Sequence, residues 1–363
     1  MKSQYAALAL SVAVSAVGLS ARGGHLFVAN ESGGSVLPNE SRGNVASYTI
    51  GADGSLTLVP ESLVAAGTKP VCVATDPGGH FAYVANCGGS NNISAYSIGP
   101  NGSLDPVPGS PFSAGNLPWS LTIEPTGRYV YVVNEGANCV SGFKIGKEGA
   151  LSEISHSPFR VETDPRCAVV DETGKYAYVV NAASNNISAF EIDSDGGLAQ
   201  IAGAPFSTGI FPRSITIVEH TRFLYVANEV SDDVSGFRIA PNGTVTPLPG
   251  SPYRAGIAPY FIAASGTTRV VCVTCEGSGA LSVFSINPNG SLSPLADSPC
   301  ATGSDPTGVT IDSSGRFIYV ANRVGNNISA FQLNPDLSIR PVPGSPFSAE
   351  LGPFGLTCAP DGY

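Results

Sequence analysis

The sequence is poor in several residue types that mark common functional classes. Its 363 residues include one methionine, one tryptophan and four histidines, and charged residues make up 13% of the chain. His25, His80 and His220 belong to hairpins expected on one face of the fold, and His156 to a connection on the other. They should therefore neither converge on a metal nor complete a Ser-His-Asp triad. Because no glycine-rich phosphate loop or dinucleotide fingerprint occurs, we expect no cofactor and no metal.

The charge balance and the apolar runs exclude two classes of partner. The net charge is −10 and the isoelectric point about 4.8, so the chain should repel nucleic acid. Apart from one N-terminal stretch, no apolar run approaches the roughly 20 residues that a membrane span needs. We therefore expect no nucleic-acid partner, and no membrane span in the mature chain.

Residues 1–22 have the features of a secretory signal peptide. Lys2 precedes an apolar, alanine-rich stretch from Tyr5 to Leu19, and small residues stand before Arg22. The alternative is that Val14 to Ala21 forms a native strand. Cleavage would make the protein periplasmic or extracellular, whereas an uncleaved chain would be cytoplasmic.

The eight cysteines are even in number, and export would permit disulfides. Two pairs fall close together in the expected fold, Cys275 with Cys300 and Cys87 with Cys139. Three further cysteines fall in inner strands, where we expect buried thiols: Cys72, Cys167 and Cys358.

Glycine and proline are abundant, with 43 and 29 residues, and they suit short strands joined by tight turns. A strand with the pattern aromatic-Val-Ala/Val-Asn occurs six times, and a seventh copy, Cys272 to Cys275, departs from it. The last residues of the seven copies are Asn30, Asn86, Asn134, Asn181, Asn228, Cys275 and Asn322. A second marker, Ser/Ala-Pro-Phe, keeps the same period of about 47 residues, which is the range of propeller repeats. Two independent markers with one period predict a repeat architecture.

Each repeat contains four short strands, which we name A to D from the centre outward. This pattern predicts an all-β, seven-bladed β-propeller with four antiparallel strands per blade. The first blade begins with strand B after Gly24, and the chain ends with an unpaired strand A from Pro353. The C-terminal strand should therefore join the N-terminal blade and close residues 23–363 into one domain.

The positions that vary between repeats mark the candidate site. In a propeller the B–C loops and D–A connections share one face, here called the top, and strand A lines the central channel. The residue after the strand-A proline and the residue after the strand-B asparagine should therefore surround the channel mouth. The predicted substrate-binding residues are Trp119, Glu135, Arg166, Tyr260, Glu276, Thr307, Arg323 and Phe354. Aromatic rings stack on sugar or ring faces and arginine binds anionic oxygens, so we expect a small-molecule ligand here. The alternative is a solvated rim with ordinary charge scatter.

Three segments resemble the lactonase-family propellers, the group that includes 6-phosphogluconolactonase and the YVTN-repeat proteins. They are Tyr83 to Asn86, Asn91 to Tyr96 and Pro108 to Phe112. The resemblance covers residues 24–363. It implies a Pro-Arg-His sequence before one strand A and Asn-Glu after the next strand B. Here Arg213 and Glu229 match, and Ser214 stands in place of the histidine.

Arg213 and Glu229 are the candidate catalytic residues. Lactone opening needs a base that activates water and a cation that stabilises the oxyanion, and this pair could supply both. One hypothesis is therefore an exported hydrolase of a small anionic or sugar-derived lactone. The other is that the pair is a plain ion pair in a non-catalytic propeller that binds a ligand or a protein. In either case we expect a monomer.

Overall fold

The computed structural model describes residues 24–32 and 42–359, and the structural statements below concern these residues. The predicted signal peptide, residues 1–22, lies outside them. Within the described ranges, no helix has the length and apolar character needed to cross a membrane.

The first four blades contain the strands β1 to β19. Blade one consists of β1 (His25–Asn30), β2 (Arg42–Ile50), β3 (Leu56–Leu58) and β4 (Val64–Thr68). Blade two consists of β5 (Pro70–Thr75), β6 (Phe81–Asn86), β7 (Asn92–Ile98), β8 (Leu104–Pro106) and β9 (Phe112–Ser113). Blade three consists of β10 (Pro118–Ile123), β11 (Tyr129–Asn134), β12 (Cys139–Ile145), β13 (Leu151–Glu153) and β14 (Phe159–Arg160). Blade four consists of β15 (Pro165–Val170), β16 (Tyr176–Asn181), β17 (Asn186–Ile192), β18 (Leu198–Gln200) and β19 (Phe206–Ser207).

The last three blades follow the same plan. Blade five consists of β20 (Pro212–Ile217), β21 (Phe223–Asn228), β22 (Asp233–Ile239), β23 (Val245–Pro247) and β24 (Tyr253–Arg254). Blade six consists of β25 (Pro259–Ser265), β26 (Val270–Cys275), β27 (Ala280–Ile286), β28 (Leu292–Pro294) and β29 (Cys300–Ala301). Blade seven consists of β30 (Pro306–Ile311), β31 (Phe317–Asn322), β32 (Asn327–Leu333), β33 (Ile339–Pro341) and β34 (Phe347–Ser348). The last strand is β35 (Pro353–Cys358), and Glu135–Ala137 and Glu276–Ser278 are short 3-10 turns.

The seven-bladed prediction is confirmed, and the strand count per blade differs from it in one respect. Each sheet has the four expected antiparallel strands and a short fifth strand that pairs, like strand D, with strand C. In blade three, β12 pairs with β13 through Phe143–Ile145 and with β14 through Cys139 and Val140. The outer edge of strand C is therefore shared by two short strands, because the chain turns after strand D and returns along the same edge before the next blade.

The predicted ring closure is confirmed. Strand β35 pairs antiparallel with β1, with Leu26 opposite Cys358 and Val28 opposite Leu356. The inner strands contact each other in sequence around the ring, β35 with β5 and β30 with β35 included. One hydrophobic cluster fills each of the seven spaces between adjacent blades. Closure therefore gives β1 the inner neighbour that strand B has in each of the other blades.

The repeated asparagine has a structural role that explains its recurrence. Asn134 is fully buried, and its Nδ2 donates to the Ser141 hydroxyl on strand C at 2.9 Å. The same bond joins Asn228 to Ser235 at 2.9 Å. In blade six Cys275 replaces the asparagine, and its Sγ lies 3.5 Å from the Ser282 Oγ. A buried amide without a hydrogen-bond partner destabilises the fold, so the asparagine and the serine recur together.

A tyrosine of strand B joins each of five blades to the next. The Tyr83 hydroxyl donates to the Gly149 carbonyl at 2.9 Å, and the bond recurs from Tyr131, Tyr178, Tyr225 and Tyr319. Gly149 has φ +80°, and a Cβ there would lie 2.4 Å from Phe81. In blade six Cys272 replaces the tyrosine, and Leu337 occupies the glycine position with φ 66°.

The two candidate disulfides are not formed, because Cys87, Cys139, Cys275 and Cys300 are thiols without a disulfide bond. Cys275 packs against blade five, whereas Cys300 packs against blade seven, so their side chains lie on opposite faces of one sheet. Cys87 packs at the channel mouth, while the Cys139 Sγ accepts a hydrogen bond from Asn134 at 3.5 Å. The repeat therefore brings the backbone segments of each pair near each other, but it does not bring the two thiols together.

Candidate active site at the channel mouth

Two backbone positions build the channel mouth in every blade. The residue before each strand-A proline has positive φ, for example 60° at both Asp164 and Phe211. Its carbonyl accepts a hydrogen bond from the residue after the strand-B asparagine, as in Glu229 N–H to Phe211 O at 2.9 Å. This bond ties each D–A connection to the B–C loop of its own blade. The predicted rings of variable residues are therefore held together by the repeated backbone.

Arg213 and Glu229 form an ion pair at the mouth. The Arg213 Nε donates to the Glu229 Oε2, and the two side chains are 15% and 23% exposed. The Arg213 guanidinium stacks on Tyr260 at 4.6 Å and on Phe211 at 5.2 Å from the ring centroids. Aromatic faces attract cations, so the arginine is held from three sides. The predicted catalytic pair is therefore in contact and in one fixed orientation.

Arg166 forms a second, more heavily paired site one blade earlier. Its Nη1 lies 2.9 Å from the Glu135 Oε2, and its Nη2 lies 2.8 Å from the Asp164 Oδ1. The guanidinium also lies 4.8 Å from the Trp119 ring centroid. Burial raises the pKa of the Glu135 carboxyl, against the opposing effect of Arg166.

Arg323 forms the third site. Its Nε lies 2.6 Å from the Asp305 Oδ2, and its Nη2 lies 3.5 Å from the Glu276 Oε1. Burial raises the pKa of the Glu276 carboxyl, and the neighbouring Asp305 raises it further, because two carboxylates in one site repel each other.

Aromatic side chains close the channel below these ion pairs. Phe354 lies in edge-to-face contact with Trp119 at 5.9 Å, Tyr260 at 6.0 Å and Phe261 at 5.9 Å. Phe354 is 1% exposed and Tyr260 is 6% exposed. Burial raises the pKa of Tyr260 to about 12, so its hydroxyl is neutral. We call Trp119, Tyr260, Phe261 and Phe354 the aromatic plug. A ligand at the mouth would rest above it.

Thr307 lies inside the fold and does not reach the surface of the mouth. It is fully buried, and its hydroxyl donates to the Phe354 carbonyl at 3.0 Å. Its own carbonyl accepts a hydrogen bond from the Thr274 hydroxyl at 2.6 Å. Thr307 therefore supports the closing strand and, contrary to the sequence prediction, does not bind a ligand at the mouth.

The mouth is acidic overall although it contains three arginines. Four cationic side chains, the three arginines and Lys69, are paired with six carboxylates. The carboxylates are Glu31, Glu135, Asp164, Glu229, Glu276 and Asp305. Each cation already has an anionic partner, so the mouth does not offer a free cationic pocket for an anion.

Among the mouth residues that sequence reasoning missed, four share one position in the repeat: Lys69, Asp164, Phe211 and Asp305. All four precede a strand-A proline and have positive φ. This position varies between blades as strongly as the two positions from which the site was predicted, so the sequence shows that it forms a third variable ring. The sequence does not show the positive φ that turns its side chain toward the mouth.

Two other kinds of site can be examined among the described residues, a metal site and a cavity on the opposite face. In residues 24–32 and 42–359, no three His, Cys, Asp or Glu side chains are placed to hold a metal. A cavity of about 540 Å³ lies on the opposite face, between the A–B hairpins of blades four and five. Its Asp171 carboxylate already accepts hydrogen bonds from the Thr173 hydroxyl and from the N–H groups of Lys175 and Tyr176. That carboxylate therefore stabilises its own hairpin.

Solved structures share the whole fold at low sequence identity. A candidate 6-phosphogluconolactonase from Bacteroides uniformis is 17% identical with a TM-score of 0.78, over 92% of this chain and 98% of that chain. The periplasmic gluconolactonase of Pseudomonas aeruginosa is 21% identical with a TM-score of 0.76, over 93% and 99%. Hydrazine synthase from Kuenenia stuttgartiensis is 18% identical with a TM-score of 0.61, over 89% and 99%. Such likeness shows the fold alone, since one fold supports unrelated chemistries.

Among proteins with curated descriptions, none matches this sequence significantly. The family model described as "Lactonase, 7-bladed beta-propeller" matches residues 7–298 and 234–344, which together span most of the chain. With the seven blades and the closing strand, this match identifies the chain as a member of the seven-bladed β-propeller lactonase family.

Proposed function

We propose that the protein hydrolyses a small, uncharged lactone at the channel mouth, with Glu229 as the general base and Arg213 as the oxyanion-stabilising group. The observation that supports this most directly is the partly exposed Arg213–Glu229 pair, in which the Arg213 guanidinium stacks on Phe211 and Tyr260. Family membership favours lactone opening over other reactions.

The geometry allows a complete reaction sequence. Glu229 removes a proton from water, and the resulting hydroxide attacks the acyl carbon of the lactone. Arg213 uses its Nε on Glu229, so its Nη groups can donate to the oxyanion of the tetrahedral intermediate. The ring C–O bond then breaks, and the leaving alkoxide takes the proton back from Glu229. The product is a hydroxy acid.

The charge of the mouth favours an uncharged substrate over the anionic one that the sequence suggested. Six carboxylates surround four cations there, so a phosphorylated lactone would meet net repulsion. The same repulsion would help release the hydroxy-acid product, which carries a negative charge at neutral pH.

Acid release from a panel of lactones tests the proposal. We expect the Glu229→Gln variant to lose about 100-fold or more in kcat, the usual contribution of a general base. Glu135→Gln is the matched comparison, because Glu135 holds the same repeat position in blade three, pairs with Arg166 of blade four, and should affect KM rather than kcat. Turnover unchanged in Glu229→Gln, with circular dichroism as in the wild type, would rule out this assignment.

A non-catalytic binding propeller is the second candidate. It is favoured by Ser214, which stands where the family resemblance expects a histidine, and by the tight pairing of Arg213 with Glu229. This candidate predicts ligand binding at the mouth without release of acid. Trp119, the single tryptophan, lies in the aromatic plug and would report such binding by its fluorescence.

We also propose export to the periplasm or the exterior, on the basis of residues 1–22 alone. The mass of the mature protein, purified after expression with its native N-terminus, tests this. Loss of about 22 residues is expected, whereas an intact N-terminus would leave the protein in the cytoplasm.

A further inference from the structure

Exposed aliphatic side chains are concentrated on one part of the top face. Among the described residues, six large hydrophobic side chains are exposed, and five of them lie in top-face loops of blades five, six, seven and one. These five are Ile210, Val230, Ile257, Val324 and Leu351, with 48–67% of each residue exposed. Single exposed apolar residues are ordinary, but a group confined to one side of a mouth calls for an explanation.

The repeat provides an internal comparison. Ile210, Ile257 and Leu351 stand two residues before the strand-A proline, where blades two to four have polar residues. Those polar residues are Thr68, Asn116 and Thr163. The same backbone bond forms with either residue type, since Val230 N–H bonds to Ile210 O at 3.1 Å and Gly136 N–H to Asn116 O at 3.1 Å. The aliphatic residues are therefore not required by the fold.

Three of these residues adjoin the candidate catalytic pair, and we call Ile210, Val230 and Ile257 the aliphatic rim. Val230 directly follows Glu229, and its N–H bonds to Ile210, which precedes the Phe211 that stacks on Arg213. Ile257 belongs to the next connection, which is tied to the same loop by the bond from Ala258 N–H to the Asp232 Oδ1 at 2.8 Å. The rim is therefore continuous with the site.

We propose that the substrate is a lactone with an aliphatic chain, with the ring held beside Arg213 and Glu229 and the chain lying along the aliphatic rim. This inference rests on the proposed hydrolase function and specifies its substrate class. The Arg166–Glu135 pair lacks such a rim, since its flanking positions are Asn116, Gly136 and Thr163. The chain should therefore extend from the blade-five side of the mouth.

The size of the expected effect follows from apolar burial. A methylene fully removed from water contributes about 0.8 kcal/mol, or about fourfold in kcat/KM. On an open rim only one side of the chain is covered, so about twofold per methylene is expected. Four added methylenes should therefore raise kcat/KM about 16-fold.

The experiment measures kcat/KM for γ-butyrolactone, γ-octalactone and γ-dodecalactone. The test variant is Ile210→Ser with Val230→Ser, and the control is Thr163→Ser with Ala183→Ser at the equivalent positions of blade four. The two test residues are exposed, so the fold should be retained. We expect the test variant to lose the chain-length dependence and to keep its activity on γ-butyrolactone. The control variant should behave as the wild type does.

The outcomes separate this inference from the proposed function. Equal kcat/KM for all three lactones, or a chain-length dependence that survives in the test variant, would refute the role of the rim but keep the hydrolase. If no lactone is hydrolysed, the proposed function fails, and Trp119 fluorescence decides whether γ-dodecalactone binds. Binding that the test variant abolishes would retain the rim as a site for an aliphatic ligand. The absence of both turnover and binding would refute the inference and favour a protein partner on this surface.

Discussion

Replacing Phe354 with alanine tests the claim that the closing strand also seals the channel. Phe354 belongs to β35, the strand that completes blade one, and its ring is 1% exposed. It contacts three rings contributed by blades three and six. Its loss should therefore weaken the closure of the ring and open the mouth at the same time.

The magnitude follows from the structure. Deletion of a buried phenylalanine side chain typically costs about 3–5 kcal/mol, because the cavity collapses only partly. The three edge-to-face contacts, at about 0.5–1.5 kcal/mol each, are part of that sum. An unfolding entropy near 0.7 kcal/mol/K for a domain of this size converts the loss into a Tm lower by about 5 °C.

Thermal unfolding and Trp119 emission measure the two consequences. The emission of Trp119 should shift to the red, because water reaches the ring edge that Phe354 now covers. Leu351→Ala is the control: it lies three residues earlier, is 48% exposed, and should change stability by less than about 0.5 kcal/mol. A Tm unchanged in Phe354→Ala, or lowered equally by Leu351→Ala, would refute the reasoning.

Three further predictions concern other parts of the fold. Cys272→Tyr should lower the Tm, because the new tyrosine ring would overlap Leu337. Adding Leu337→Gly to that variant should restore the Tm. A double-mutant cycle should give a coupling free energy of about 1 kcal/mol or more. The pKa of Glu276 is raised above its usual value of 4.5, so its ionisation opposes folding as pH rises through that value. The Tm of Glu276→Gln relative to wild type should therefore increase between about pH 4 and pH 7, and parallel Tm curves would contradict this. Alkylation of the unfolded chain without reductant should label all eight cysteines, and fewer labels by mass spectrometry would show a bridge.

The fold could be predicted almost completely because its determinants are local and repeated. Gly149 needs its positive φ within its own turn, and Asn134 reaches its partner Ser141 within its own blade. Such residues recur in nearly every repeat, so their period reveals both the blade number and the missing strand that the C-terminus supplies. The fifth short strand was missed, because two paired residues leave no alternating pattern to detect.

The candidate site could be predicted only in part. The sequence by itself determined that Arg213, Glu229 and the other variable residues lie around one mouth, because strand direction and loop position follow from the repeat. It did not determine which carboxylate pairs with which arginine, since Asp164 and Asp305 reach the site through positive-φ backbone. Nor did it show that Phe354 and Thr307 lie beneath the surface.

Side-chain direction is what the tertiary structure decided. Cys275 and Cys300 belong to the same blade, yet the alternation of the strands sends them to opposite faces of the sheet. The concentration of carboxylates at the mouth likewise arises when seven blades bring distant residues to one axis. A repeat specifies the position of each residue within its own blade, whereas the contacts between blades depend on a ring that exists only when it has closed.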